Sequence, residues 1–221
     1  MMLQNWRDLT FLHFSCEPSA IQPLIPPEFT VDTFDGRAWV GLVLFRMRDI
    51  RVPSMPSPPW LGAFPETNVR TYVHRDGAKP GVWFFSLDAA RWLACMAARS
   101  GLGLPYVHAK MSVVKSGSEV AYRSSRSGGS CSVRGRIQEE PLPKDPGGLN
   151  YFLIERYLLY SRTGRGLIKA QVHHRPYPIQ QAELISCEQT LTKAAGLPSL
   201  PWEHICYSQG VDVEVFSRQG V

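Results

Sequence analysis

The chain has 221 residues, 44% of them hydrophobic and 19% charged, and a formal net charge of +5. That length suits one domain with a full apolar core, and the low charged fraction excludes a disordered polyelectrolyte. Five cysteines (Cys16, Cys95, Cys131, Cys187 and Cys206), odd in number and without a C-x-x-C pair, argue against a disulfide scaffold or a zinc ribbon.

Residues 1–12 contain Arg7 and Asp8 and no apolar signal core, and no run of about eighteen apolar residues follows anywhere. No membrane span is expected, and a reducing cytoplasm is the expected compartment. Residues 18–24 open on proline as a short helical piece that Pro26-Pro27 ends. Residues 31–34, a turn at Asp35-Gly36, and residues 38–47 read as a hairpin. Residues 52–59 hold four prolines and read as an extended loop of the kind that covers a site. Residues 67–73 and 81–87 are the next two strands, joined at Asp76-Gly77. Val82-Trp83-Phe84-Phe85 is apolar on both faces and predicts a strand buried on both sides. Asp88 reads as an N-cap for a helix over residues 89–100 that Gly101 stops.

Residues 106–114 alternate, with Tyr106, His108, Lys110 and Ser112 on one face and Val107, Ala109, Met111 and Val113 on the other. Residues 120–125 and 131–138 continue a meander, residues 149–156 predict a short helix, and residues 157–161 and 167–173 a further hairpin. Residues 182–195 are ambiguous between strand and helix, and residues 211–216 read as a terminal strand. The sum is about ten strands and two to four helices, mostly antiparallel because hairpins follow one another without helical crossovers. A sheet of that size curls or closes on itself. The expected fold is therefore mainly β, a bent or barrel-like antiparallel sheet with a few flanking helices.

Several chemistries are absent from the sequence. There is no phosphate loop of the G-x-x-x-x-G-K-[ST] type, and Gly101-x-Gly103 lacks the third glycine of a dinucleotide fingerprint. No G-x-S-x-G elbow occurs. His173 and His174 are neighbours that face opposite sides of a strand, and His13, His74, His108 and His204 show no ligand spacing, so no metal site is expected. The 18 arginines are scattered, and the tightest group (Arg123, Arg126, Arg134 and Arg136) flanks a Gly/Ser-rich stretch and reads as a solvated hairpin, so no nucleic-acid partner is expected. An arginine excess also suits carboxylate recognition, because the guanidinium fork matches two oxygens.

Glu66, Asn68 and Arg70 fall at i, i+2 and i+4 of one strand and share a face. They form either a pocket wall that grips a polar ligand, or an internal ion pair or a solvated strand face. Tyr106, His108 and Lys110 pose the same choice. A lysine on an inner face can form a Schiff base if apolar surroundings lower its pKa; otherwise it is a surface residue opposite an apolar face. His174, before Arg175-Pro176-Tyr177-Pro178, is either a pocket residue or a structural histidine.

Long stretches of the chain resemble one bacterial family. They include residues 6–13, Leu24-Ile25-Pro26-Pro27-Glu28-Phe29, Asp32-Thr33-Phe34-Asp35-Gly36-Arg37-Ala38-Trp39-Val40-Gly41, and Phe64-Pro65-Glu66-Thr67-Asn68-Val69-Arg70-Thr71-Tyr72-Val73. Gly81-Val82-Trp83-Phe84-Phe85-Ser86-Leu87-Asp88, Ala98-Arg99 through Leu104-Pro105-Tyr106, residues 152–157 and residues 174–178 belong to the same set. In order and over nearly the whole length, they are similar to the YqjF-like proteins, numbered 2071 among the domains of unknown function. That family in turn resembles, remotely, the acetoacetate decarboxylases. The resemblance implies one domain over residues 1–221 with a cone-like antiparallel barrel and a central cavity. In the decarboxylases a Gly-Arg-Glu segment leads to Gly-Phe-Pro-Lys-Lys, whose first lysine forms the Schiff base. Here Tyr106 stands at the place of that lysine, Val107 replaces the second, and no adjacent lysine pair exists. Lys110 lies outside the motif. The resemblance matches Glu66 to a pocket glutamate and Arg99 to the arginine of the Arg-Glu pair.

The expected function is binding of a small molecule, a carboxylic acid by its clamps, with acid/base chemistry that needs no Schiff base and no cofactor. Glu66, Tyr106 and Lys110 are the candidate catalytic residues; Asn68, Arg70, Arg99, His108 and His174 are the candidate ligand contacts. The alternatives are a Schiff-base lyase using Lys110 and a non-catalytic structural or interaction protein with a filled interior. The sequence leaves self-association into a homo-oligomer open.

Overall fold

The computed structural model describes residues 1–58, 62–92, 95–96, 103–143, 145–164 and 166–221. Asp35 and Gly36 have φ of +49° and +74°, and Asp76 and Gly77 have +53° and +70°. Two successive left-handed residues make the tight turn whose twist matches paired strands, and aspartate followed by glycine adopts it at little cost. These turns join β3 (Thr33–Phe34) to β4 (Arg37–Arg51) and β5 (Ala63–Arg75) to β6 (Ala78–Ala89). With β1 (Met2–Cys16) paired to β4, the long strands β1, β4, β5 and β6 form a continuous antiparallel wall.

The remaining strands among the described residues are β2 (Thr30–Val31), β7 (Tyr106–His108), β8 (Lys110–Ser116), β9 (Glu119–Arg126), β10 (Gly129–Pro141), β11 (Leu158–Thr163), β12 (Gly166–His173), β13 (Ile179–Gln189), β14 (His204–Val215) and β15 (Gln219–Gly220). The short helices are α1 (Pro18–Ile21), α2 (Leu149–Ile154) and α3 (Leu191–Ala194). All the strands belong to one sheet, ordered β15-β12-β11-β6-β5-β4-β1-β14-β13-β10-β9-β8 along its main path. β12 also pairs with β14, through Val172 opposite Val215 and His173 opposite Glu214. That pairing closes β12, β11, β6, β5, β4, β1 and β14 into a ring. The fold is thus the strand-rich, barrel-like and mostly antiparallel one expected. Its two parallel pairings, β6 with β11 and β6 with β7, were not.

Alternation along the ring strands separates two cores. Leu9, Phe11, Val43, Phe45, Tyr72 and Phe84 point inward with Leu153 and Ile154 of α2. Leu12, Phe14, Leu42, Leu44 and Val69 point outward and are covered by Tyr122, Val133, Tyr160 and Tyr207. Each fully buried side chain of this size contributes about 1.5–3 kcal/mol relative to exposure, so a sheet apolar on both faces is anchored twice. The outer layer, β13-β10-β9-β8, is also pinned by polar contacts. The Tyr122 hydroxyl accepts from Thr10 Oγ1 (3.0 Å) and donates to the Asp8 carbonyl (2.6 Å), and the Tyr207 hydroxyl donates to the Asp8 carboxylate (2.8 Å).

Three local expectations change. Asp88 is not an N-cap: β6 continues through Ala89, with Asp88 opposite Thr67 of β5 and Val107 of β7, and its carboxylate accepts from Ser124 Oγ and Arg126 Nε. The sheet offered that segment neighbours on both sides, which outweighs local helical spacing. Half of the helix expected over residues 89–100, together with its stop at Gly101, lies outside the described residues. The ambiguous residues 182–195 divide between β13 and α3.

Candidate functional site

Period-two alternation places Glu66, Asn68, Arg70 and Tyr72 of β5 on the inner face, and all four are buried. Glu66, Asn68 and Arg70 look into a cavity of about 60 Å³, lined also by Phe11, Phe45, Phe84, Leu87, Leu104, Tyr106, Ile154, Arg156 and Tyr177. A single water needs about 10–15 Å³ on this measure, so the space accommodates a ligand of a few atoms.

At one end the Tyr106 hydroxyl donates to Glu66 Oε2 at 2.8 Å, and the Asn68 side chain also hydrogen-bonds Glu66. Burial pushes the Glu66 carboxyl up to about 8; the bonds from Tyr106 and Asn68 oppose the rise, and the nearby Asp88 adds to it. Glu66 is therefore mostly protonated at neutral pH and close enough to its midpoint to exchange a proton. Burial, and then the neighbouring Glu66, push the Tyr106 phenol well above its ordinary value, so it stays a donor. Asn68 Oδ1 is buried and has no hydrogen-bond partner among the described residues.

At the other end Arg70, 9% exposed, donates from Nη2 to the Leu153 carbonyl at 2.9 Å, and its guanidinium lies 5.8 Å from the Phe11 ring centre. Its Nε has no hydrogen-bond partner, and no carboxylate pairs with it, among the described residues. The ion pair between Glu66 and Arg70 that the sequence left open is not formed: Glu66 bonds Tyr106 and Asn68 instead. Arg156, the other cation of the lining, is paired with Asp32 at 2.7 Å. A buried cation without a counter-ion is costly, and an anion entering the cavity would relieve that cost.

The structure thus gathers Glu66, Asn68, Arg70 and Tyr106. It does not bring Lys110 or His108 to them. Ala109 separates β7, which pairs with β6, from β8, which pairs with β9, so the alternation does not carry across, and both side chains are exposed. Lys110 therefore lacks the apolar surroundings a Schiff-base lysine requires. His174 is buried in a cage of Trp6, Tyr157 and Tyr177 and bonds the Arg175 carbonyl, one layer behind the lining. Arg99 lies outside the described residues.

Sequence reasoning missed a buried polar chain behind Arg70. His204 Nε2 is 2.7 Å from Asn150 Oδ1, His204 Nδ1 is 3.0 Å from His13 Nδ1, and His13 Nε2 is 2.8 Å from the Tyr72 hydroxyl. Burial lowers both histidines, His204 to about 4 and His13 well below its ordinary value, the latter helped by His204 and Arg70. The one local sign was Leu9, Phe11 and His13 at period two, which puts His13 on the inner face; its partner lies 191 residues away.

Comparison with known proteins agrees with this architecture. A structure of acetoacetate decarboxylase from Legionella pneumophila superposes with a TM-score of 0.70 at 12% identity, covering 99% of this chain and 88% of that one. The enduracididine biosynthesis enzyme MppR, complexed with the condensation product of pyruvate and imidazole 4-carboxaldehyde, gives the same TM-score, identity and coverage. At such identities the likeness is one of fold. Among the described residues no helix is long and apolar enough to cross a membrane. In sequence, the uncharacterized protein YqjF of Bacillus subtilis strain 168 is 36% identical over 200 residues, 89% of this chain and 82% of the relative. The model of domain of unknown function 2071, described as an uncharacterized conserved protein, matches residues 3–212, and the chain belongs to that family.

Proposed function

We propose that the chain binds a small carboxylate-bearing molecule in the barrel cavity and moves a proton on it without forming a Schiff base. The observation that carries the reading is Arg70, a buried guanidinium without a carboxylate partner among the described residues, in the same small cavity as the protonated Glu66. Arg70 clamps the carboxylate, Asn68 Oδ1 accepts from a hydroxyl or amine of the ligand, and Glu66, steadied by Tyr106, donates or takes the proton. An acid with a pKa of about 8 is matched to general acid–base work near neutral pH. The small-molecule complex of MppR supports a ligand-binding role for a barrel of this shape. The exposure of Lys110 weighs against the lyase alternative, and the cavity against the filled-interior one.

The test is calorimetric titration of acetate, propionate, pyruvate and acetoacetate into wild type and Arg70→Gln at pH 7. A charge-assisted bond is worth about 1.5–3 kcal/mol, so the variant should bind roughly 10- to 100-fold more weakly. Equal affinities, or no binding by wild type, would overturn the clamp. Borohydride treatment with pyruvate should leave no adduct on Lys110; a trapped adduct there would refute the imine-free chemistry.

A further inference from the structure

One row of residues crosses four adjacent strands. His204 on β14 lies opposite His13 on β1, His13 opposite Gly41 on β4, and Gly41 opposite Arg70 on β5. We infer that His204 and His13 are positioning residues for the carboxylate clamp: their hydrogen-bonded pair holds the Tyr72 hydroxyl, which together with the Leu153 carbonyl holds the Arg70 guanidinium. The inference rests on the reading of Arg70 as that clamp.

The chain of donors has one direction. Asn150 presents an amide oxygen to His204 Nε2, so Nε2 carries the hydrogen and Nδ1 of the neutral ring is a lone pair. That lone pair meets His13 Nδ1 at 3.0 Å, so His13 carries its hydrogen on Nδ1 and exposes a lone pair at Nε2. The neutral rings are therefore locked in opposite tautomers. A second proton on His204 would set two N–H groups head to head, and one on His13 would fall on Nε2, facing the Tyr72 hydroxyl, and place a charge beside Arg70, in agreement with the direction in which both histidines are shifted.

The consequence falls on Tyr72. Its hydroxyl has one proton and two acceptors within reach, His13 Nε2 at 2.8 Å and the Leu153 carbonyl at 2.7 Å. Arg70 Nη2 donates to the same carbonyl at 2.9 Å and lies 3.4 Å from the Tyr72 oxygen. With His13 Nε2 bare, the Tyr72 proton is shared between the Leu153 carbonyl and the imidazole, the second lone pair of the carbonyl accepts from Arg70, and the phenol oxygen is free to accept from the guanidinium. With the opposite tautomer, Nε2–H would donate to the Tyr72 oxygen and compete there with Arg70. Asn150 at the outer end of the chain thus fixes the hydrogen-bond partner of a guanidinium four groups away. Gly41 makes the row possible, since a Cβ there would sit 3.1 Å from His13 Cδ2 and 3.3 Å from Arg70 Cγ.

Two measurements test this on the intact chain. Nitrogen-15 spectra of the imidazoles at pH 7 should show His13 as the neutral Nδ1–H tautomer and His204 as the neutral Nε2–H tautomer. The same tautomer on both rings, or a charged ring, would overturn the relay. Propionate titration should show His204→Leu binding about fivefold more weakly, the effect of one lost hydrogen bond, and His204→Gln restored to near wild type because its amide again accepts from His13. Unchanged affinity in a folded His204→Leu would overturn the positioning role. If that variant does not fold, Asn150→Leu removes the outermost acceptor at a half-buried site, and the same loss is expected; wild-type affinity there would be equally fatal. A wild-type protein with His13 as the Nδ1–H and His204 as the Nε2–H tautomer that bound no propionate would overturn the clamp and leave the hydrogen-bonded chain standing.

Discussion

At the scale of single residues, the inner face of β5 is where sequence and structure speak most directly to each other. Glu66, Asn68 and Arg70 share a face because strand alternation is local and strict, and three polar residues at that spacing are visible without any knowledge of the fold. What they do there was not visible: whether Arg70 pairs with Glu66 depends on Tyr106, Leu153 and Tyr72, which arrive from elsewhere. Gly41 shows the limit most clearly. It has no left-handed backbone and no turn to explain it, yet it stands between His13 and Arg70, where a Cβ would press on both side chains. Gly41→Ala should cost about 1–3 kcal/mol, as overpacking does, and lower the melting temperature by several degrees. It should also weaken carboxylate binding, because the His13 ring and the Arg70 stem must both give way. A melting temperature and an affinity equal to wild type would show that the row relaxes freely.

At the scale of elements, the hairpins were readable because aspartate-glycine turns announce them, and the extension of β6 through Asp88 was not, because it depends on β7 arriving from later in the chain. β1 is irregular in a way that holds two layers together. Asp8 takes a φ of +50° where the register with β4 slips, and its carboxylate meets the Tyr207 hydroxyl, Arg46 and Lys115. Asp8→Ala removes that acceptor and puts an alanine in a conformation that aspartate and asparagine tolerate better. The variant should lose about 1–3 kcal/mol, and Asp8→Asn should recover part of the loss. Hydrogen exchange should locate the damage: amides of β8 and β9 exchange faster while those of β4 and β5 stay protected. Uniform loosening of the whole sheet would refute the idea that Asp8 acts mainly on the outer layer.

At the scale of the whole molecule, the buried titratable groups set opposing slopes of stability with pH. His13, His174 and His204 are lowered from an ordinary 6.5, so the unfolded chain binds protons that the folded one refuses, and stability falls as pH drops below about 6.5. Glu66 is raised from 4.5 to about 8, so the folded chain keeps a proton that the unfolded one releases, and stability falls as pH rises towards 8. Below 6.5 several histidines outweigh one glutamate, which places the maximum near pH 6.5. Melting temperatures from pH 4 to 9 should trace that dome. Glu66→Gln should flatten its decline between pH 6.5 and 8, and His204→Gln should make the acid limb shallower. An unchanged alkaline decline in Glu66→Gln would show that its carboxyl is not held protonated.

Ring closure through β12 and β14 has a consequence for how copies of this chain meet one another. Closed strands offer no bare backbone, but β8 pairs with β9 on one side alone among the described residues and would template a strand from another molecule. Its sequence is Lys110-Met111-Ser112-Val113-Val114-Lys115-Ser116, and Lys110 stands exposed at its start. The lysine that the sequence offered as an imine former puts a charge on that open edge, where it would oppose pairing between neighbouring chains.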